Sequence, residues 1–208
     1  MEYSNGSRGK TVARGARSTR VVSISAVLLI AIAGCGYNDV VDRDEDVKGA
    51  WGEVQNQYKR RADLVPSLVK VVKGAAEFEQ ETLKQVVEAR ASVGGINVDS
   101  SVIDDPQKLA QFEAAQAKLS GALSRLLVVS ENYPDLKASA AFRDLQAQLE
   151  GTENRIAVAR GRYIETVAEY NKVVLRFPTS IGAGMRGKKE RPSFAGDPGT
   201  EKPPEINL

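Results

Sequence analysis

Between residues 142 and 177 six large apolar side chains, Phe142, Leu149, Ile156, Tyr163, Tyr170 and Phe177, recur every seven residues. Such a repeat keeps its members on one face of an α-helix, whereas in a strand successive members fall on opposite sides of the sheet. The positions three later hold Leu145, Thr152, Ala159, Thr166 and Val173. Alternating large and small layers allow neighbouring helices to approach closely. The stretch is read as one long helix ending at Phe177-Pro178.

The same cadence organises the preceding sequence. Phe112, Leu119, Leu126 and Tyr133, backed by Leu109 and Leu123, predict a helix that begins with Asp105 as cap and Pro106 in the first turn and stops at Tyr133-Pro134. Leu64, Leu68, Val71, Val72, Ala75, Phe78, Leu83, Val86 and Val87 predict another, started by Asp63-Leu64-Val65-Pro66 and closed by Gly94-Gly95, with 94–104 a loop. Tyr37, Val40, Val47, Trp51, Val54 and Tyr58 trace a first helical face, interrupted by Asp44 and Arg61. Similar lengths and short connections predict an all-α fold, an antiparallel up-and-down four-helix bundle over residues 36–180. A three-helix bundle follows instead if Pro66 only bends one long helix. Pro, Gly and Lys are dense from Gly182 onward, so residues 181–208 are expected to form an irregular tail rather than a packed element.

Residues 1–35 read as a membrane-targeting segment. Arg8, Lys10, Arg14, Arg17 and Arg20 face a single acid, Glu2, and lead into an uncharged run from Val21 to Gly34. That run is shorter than the roughly 20 apolar residues a spanning helix needs. It ends in Ile32-Ala33-Gly34-Cys35, which resembles a bacterial lipobox, with Cys35 the lipid attachment site; an uncleaved single-pass anchor reaching Tyr37 is the alternative. Either way the basic flank stays inside, and Asp39, Asp42, Asp44, Glu45 and Asp46 lie on the far side, so the body is expected outside the cytoplasm, held at the cell membrane.

Composition narrows the chemistry. The chain has no histidine and one cysteine, which excludes the usual Cys/His zinc sites, Ser-His-Asp and Cys-His catalysis, and an internal disulfide. Beyond residue 35 there are 24 basic and 26 acidic residues, so no basic excess supports nucleic-acid binding. A dimetal carboxylate centre in a bundle pairs Glu residues with Glu-x-x-His motifs, and here no histidine completes one. Glu77 and Glu81 share a helix face and Asp104 and Asp105 are adjacent, spacings common on solvated surfaces. The glycines at 94–95 and 182–187 fit neither Walker nor dinucleotide spacing. Arg60, Arg61, Glu131, Glu153, Arg155 and Arg160 lie near the apolar stripes, where interhelical ion pairing is favoured over a partner-binding patch. Trp51 and Tyr58 sit at core spacing and are read as packing rather than as a ligand groove.

Several blocks then point to a family. Arg60-Arg61-Ala62-Asp63-Leu64-Val65-Pro66-Ser67-Leu68-Val69, Glu131-Asn132-Tyr133-Pro134-Asp135-Leu136-Lys137, Thr152-Glu153-Asn154-Arg155-Ile156 with Ala159-Arg160, Tyr170-Asn171 and Phe177-Pro178 occur in order. With Gly36-Tyr37-Asn38 they resemble the bacterial LemA family. The resemblance implies an antiparallel helical bundle on an N-terminal membrane segment and no enzyme activity. Members of the family are generally of unknown function, and one branch resembles magnetosome-membrane proteins that help form membrane compartments. The chain departs from the pattern in its short segment ending in a lipobox and in Ile164, where the family tends to have Asn.

The expectation is therefore a non-enzymatic, membrane-anchored helical module of the cell envelope, with no cofactor or metal, serving as a protein-protein interaction or scaffold element. Its partners would be membrane lipid through the anchor and an envelope protein, not nucleic acid. The alternatives are a membrane-shaping protein and a hydrolase.

Overall fold

The computed structural model describes residues 15–75, 78–96 and 99–194, with side chains from Asn38 onward. Cys35 and the basic residues before the apolar run thus lie outside the described side chains, as does Glu77. Among the described residues there are six α-helices and no strand, and no helix is long and apolar enough to cross a membrane.

The first helix, α1 (Gly15–Lys73), runs through Pro66 without a break, so the expected helix start at Asp63 is corrected. Proline at 66 removes the N–H that would bond the carbonyl of residue 62. Arg90 takes up that orphan: its Nε donates to Ala62 O at 3.1 Å. The chain breaks instead at Gly74, whose amide bonds Val71 O at 3.1 Å. A Cβ there would lie 3.2 Å from the same carbonyl, so this close turn suits glycine.

After the turn come α2 (Gln80–Gly94), α3 (Pro106–Ser130), α4 (Pro134–Ala138), α5 (Ala140–Leu175) and α6 (Thr179–Met185). Asp105 caps α3 as expected, accepting from the amides of Gln107 at 2.8 Å and Lys108 at 3.3 Å. The 94–104 stretch is not all loop: Ser100–Asp104 forms a 3-10 turn that buries Val102 and Ile103.

Arg43 pairs with Glu169, Tyr58 with Arg160 and Arg61 with Glu153, so α5 runs antiparallel to α1. α3 lies beside both in the direction of α1, with Phe112 against Trp51 and Tyr58 near one end and Leu119, Leu123 and Leu126 clustered with Val65, Leu68 and Val72 at the other. α2 fills the fourth position only along this second half, through Phe78, Leu83, Val86 and Ala89. Along the first half the fourth wall is the 3-10 turn, Ala183 of α6 and a strap that ends at Phe194. The strap, residues 188–194, has no regular structure, yet Arg191 and Phe194 are buried, which corrects the expectation of an unpacked tail as far as residue 194; the expectation for 195–208 lies outside the described residues.

The buried stripe of α5 steps through Ile156, Ala159, Tyr163, Val167, Tyr170 and Val174. This is the 3.6-residue cadence of a straight helix, which drifts off a strict heptad by about 20° per repeat. The heptad members from Phe142 to Tyr170 are buried, whereas the last, Phe177, lies beyond the end of α5, where Arg176 turns extended, and is exposed.

The Arg90 contact is testable by a double-mutant cycle. Arg90→Ala should destabilise the chain by about 1 kcal/mol, by removing the donor to Ala62 O. In a Pro66→Ala background, where residue 66 regains its own N–H, the same change should cost clearly less in urea unfolding.

Candidate functional site

The apolar stripe of α1 passes through Val40, Asp44, Val47, Trp51, Val54, Tyr58, Arg61, Val65, Leu68 and Val72, all buried. Two of these are charged. A charge in a bundle interior is tolerated only when opposite charge and hydrogen bonds meet it, and each of the two is met by a different part of the chain.

Arg61, 1% exposed, lies between α3 and α5. Its Nη1 donates to Glu153 Oε1 at 2.8 Å and to the Ser120 hydroxyl; its Nη2 donates to Gln116 Oε1 at 2.7 Å and to the Gln116 carbonyl at 3.0 Å. The guanidinium also stacks over Tyr58, 5.0 Å from the ring centre. Toward solvent, Arg160 donates to Tyr58 Oη at 3.2 Å, approaches Glu113 at 3.4 Å and covers the Phe194 ring at 4.4 Å. Tyr58, Arg61, Glu113, Gln116, Ser120, Glu153 and Arg160 line an open cleft of about 360 Å³ between α3 and α5. The cleft holds polar groups that are already engaged with one another. The Ser120 hydroxyl accepts from a cation rather than facing a base, so nothing there activates it as a nucleophile.

Asp44 organises the other end. Its carboxylate receives Lys188 at 2.9 Å, Lys48 at 3.0 Å and Arg191 Nη2 at 3.0 Å. Burial alone would push its carboxyl up; the ammonium groups of Lys188 and Lys48, with Arg191, outweigh that and hold it below the ordinary range. Arg191 also donates from Nε to Asp104 Oδ1 at 2.8 Å and lies over the Tyr170 ring at 4.8 Å. Asn171 fixes the strap backbone twice, donating to Arg191 O at 2.9 Å and accepting from its amide at 2.8 Å. Tyr163 donates to Pro192 O at 3.2 Å, and burial raises its phenol well above the ordinary value.

Of the charges singled out in the sequence, Arg61, Glu153 and Arg160 are thus brought together, while Arg60 is exposed. Glu131 pairs with Lys137 across the α3–α4 turn, and Arg155 donates to Thr152 at 3.4 Å. The adjacent acids Asp104 and Asp105 have separate partners, Arg191 and the α3 amides. Glu81 sits on α2 beside Gln85. Trp51 is a packing residue, touching Phe112, Tyr163 and Phe194 with ring centres 5.1, 5.5 and 6.1 Å apart, whereas Tyr58 both packs on Phe112 and borders the cleft. Among the described residues no cluster of acids or cysteine fits a metal ion. Gln116, Ser120, Lys188 and Arg191 are not legible as partners in the sequence, where the signals are the pair of charges breaking the α1 stripe and, for Asn171, its place in the Tyr170-Asn171 block.

A family model described as LemA family matches residues 50–208. The chain is 25% identical over 200 residues to Magnetosome protein MamQ 2 of Paramagnetospirillum magneticum, covering 88% of this chain and 74% of that protein. It is 24% identical over 196 residues to Magnetosome protein MamQ of Magnetospirillum gryphiswaldense, covering 86% and 72%. To Protein LemA of Metamycoplasma hominis it is 23% identical over 146 residues, covering 70% and 63%. The matched span contains the whole Arg61 network and the strap, and begins after Asp44.

Two predictions follow from the charge networks. Arg61→Ala should cost about 3–5 kcal/mol, the scale for breaking a buried pair, whereas Glu153→Gln, at a half-exposed partner, should cost about 1 kcal/mol; chemical denaturation distinguishes them. Asp44 has a lowered folded pKa, so its contribution is complete above the unfolded value near 3.8 and is lost as pH falls through the lower folded value. Asp44→Asn should be less stable than the parent at neutral pH, and the two thermal midpoints should converge as the pH drops below about 4.

Proposed function

Because the chain belongs to the LemA family, we propose that it is a non-enzymatic helical module of the bacterial cell envelope, tethered to the membrane and acting by binding another envelope protein. The observation that carries this reading is that the buried charges Asp44, Arg61 and Arg191 are each engaged by opposite charges from other parts of the chain. They hold a bundle together and leave its outer helix faces for a partner. The buried carboxylate of Asp44 is itself committed to Lys48, Lys188 and Arg191, a bond of assembly rather than a group facing a cleft.

The tether is Cys35, lipid-modified after cleavage behind Gly34. The support is the basic flank, the fourteen-residue uncharged run and the small residues before the cysteine. The body then lies on the extracytoplasmic side. A second reading, action on the bilayer itself, is favoured by the relatives that are named as magnetosome proteins; vesicle remodelling by the full chain would support it.

Intact mass of the membrane-extracted protein should show loss of the first 34 residues and added acyl mass, both abolished by Cys35→Ala. Cross-linking in membranes should recover one specific partner that disappears when the bundle is replaced and the anchor kept. An unprocessed N-terminus would overturn the lipid tether, and the absence of any bundle-dependent partner would overturn the binding role.

A further inference from the structure

The largest exposed apolar side chains gather where α5 passes into α6. Leu175, Phe177, Ile181 and Met185 are exposed by 63%, 77%, 58% and 87%. Within α6 this is a built face: Ile181 and Met185 are four residues apart on the outer side, while Ala183 between them is buried in the cluster containing Val40. Scattered apolar exposure is ordinary on protein surfaces, but four large residues on one turn mark a contact surface.

The position of this tip identifies what it meets. α5 is antiparallel to α1, so its end returns beside Val40, the end of the described body that continues down α1 toward the uncharged run Val21 to Gly34. The lipid-bearing Cys35 is five residues before Val40, so at about 1.5 Å per residue Val40 stands on the order of 7 Å from the attachment point, close to the depth of a headgroup layer. The charges agree. Lys172, Arg176, Arg186 and Lys189 are exposed around the apolar side chains. Of the nearby carboxylates, Asp39 and Glu169 approach Arg43, Glu45 pairs with Lys48, and Asp42 lies on the face of α1 opposite the stripe that α6 covers; Glu190 is exposed beside Lys189, and the cations at the tip outnumber it. An apolar face ringed by cations, held at the level of the interface, fits an anionic lipid surface.

We infer that the α5–α6 tip, through Leu175, Phe177, Ile181 and Met185, seats in the interfacial layer of the bilayer to which the chain is tethered. The contact makes a second point of attachment and fixes the bundle's orientation on the membrane. It rests on the tethered reading above and adds a site to it.

Full-length chain in vesicles of phosphatidylcholine and phosphatidylglycerol, with and without brominated acyl chains, tests this. Phe177→Trp alters an exposed position, and the parent, whose only tryptophan is the buried Trp51, supplies the baseline. The emission added by Phe177→Trp should shift to the blue and be largely quenched by bromolipid. That added by Val128→Trp, exposed near the far end of α3, should not. If the chain floats with vesicles but Phe177→Trp is unquenched, the tip inference fails and the tether stands. If the chain does not float at all, both fail. Emission already blue-shifted without vesicles and unquenched with them would mean a second copy covers the tip, which also overturns the inference.

Discussion

Two charges of opposite sign on the buried stripe of a single helix govern how the rest of the chain assembles. Apolar stripes with a regular cadence pack almost equally well when slid by one turn, about 5.4 Å. Arg61 removes that freedom, because a shift of α3 or α5 would take Gln116, Ser120 or Glu153 out of reach and leave a cation buried alone. Asp44 does the same for the strap through Lys188 and Arg191. The two networks share no residue, yet both abut the aromatic cluster around Trp51 and Phe194, the Arg61 group through Tyr58 and Arg160, the Asp44 group through Tyr163 and Tyr170.

The blocks that carry the family resemblance map onto these networks. Arg61 and Glu153, from two of them, meet as an ion pair; Tyr170 and Asn171 receive Arg191 by its ring face and its backbone. Their residue types are explained by assembly: a guanidinium can satisfy a carboxylate, an amide and a carbonyl at once from within a helix interface. The polar cleft between α3 and α5 is the outer edge of this arrangement.

The long helices were legible because their signals are local. The α5 stripe and the Asp105-Pro106 start need only nearby residues, and both stand where the sequence puts them. Pro66 misleads because the group that compensates it, Arg90, is 28 residues away. The strap misleads for the same reason on a larger scale: Arg191 pairs with Asp104, 87 residues distant, and Lys188 with Asp44, 144 residues distant. A Pro- and Lys-rich segment has no periodicity to announce a packed role. The interrupting charges Asp44 and Arg61 were visible, and their partners were not, since hydrogen-bond geometry across helices leaves no spacing in the sequence.

The strap also sets an order of events during synthesis. A chain delivered from its N-terminus can pair α2 with α3 and lay α5 on α1 as these emerge. The wall over Trp51 and Tyr163, however, is supplied by Phe194 and secured by Arg191, near the end of the described residues. That half of the core therefore stays open until Phe194 has been delivered, and any ribosome stall or proteolytic trimming upstream of Arg191 yields a molecule with its aromatic interior exposed to water.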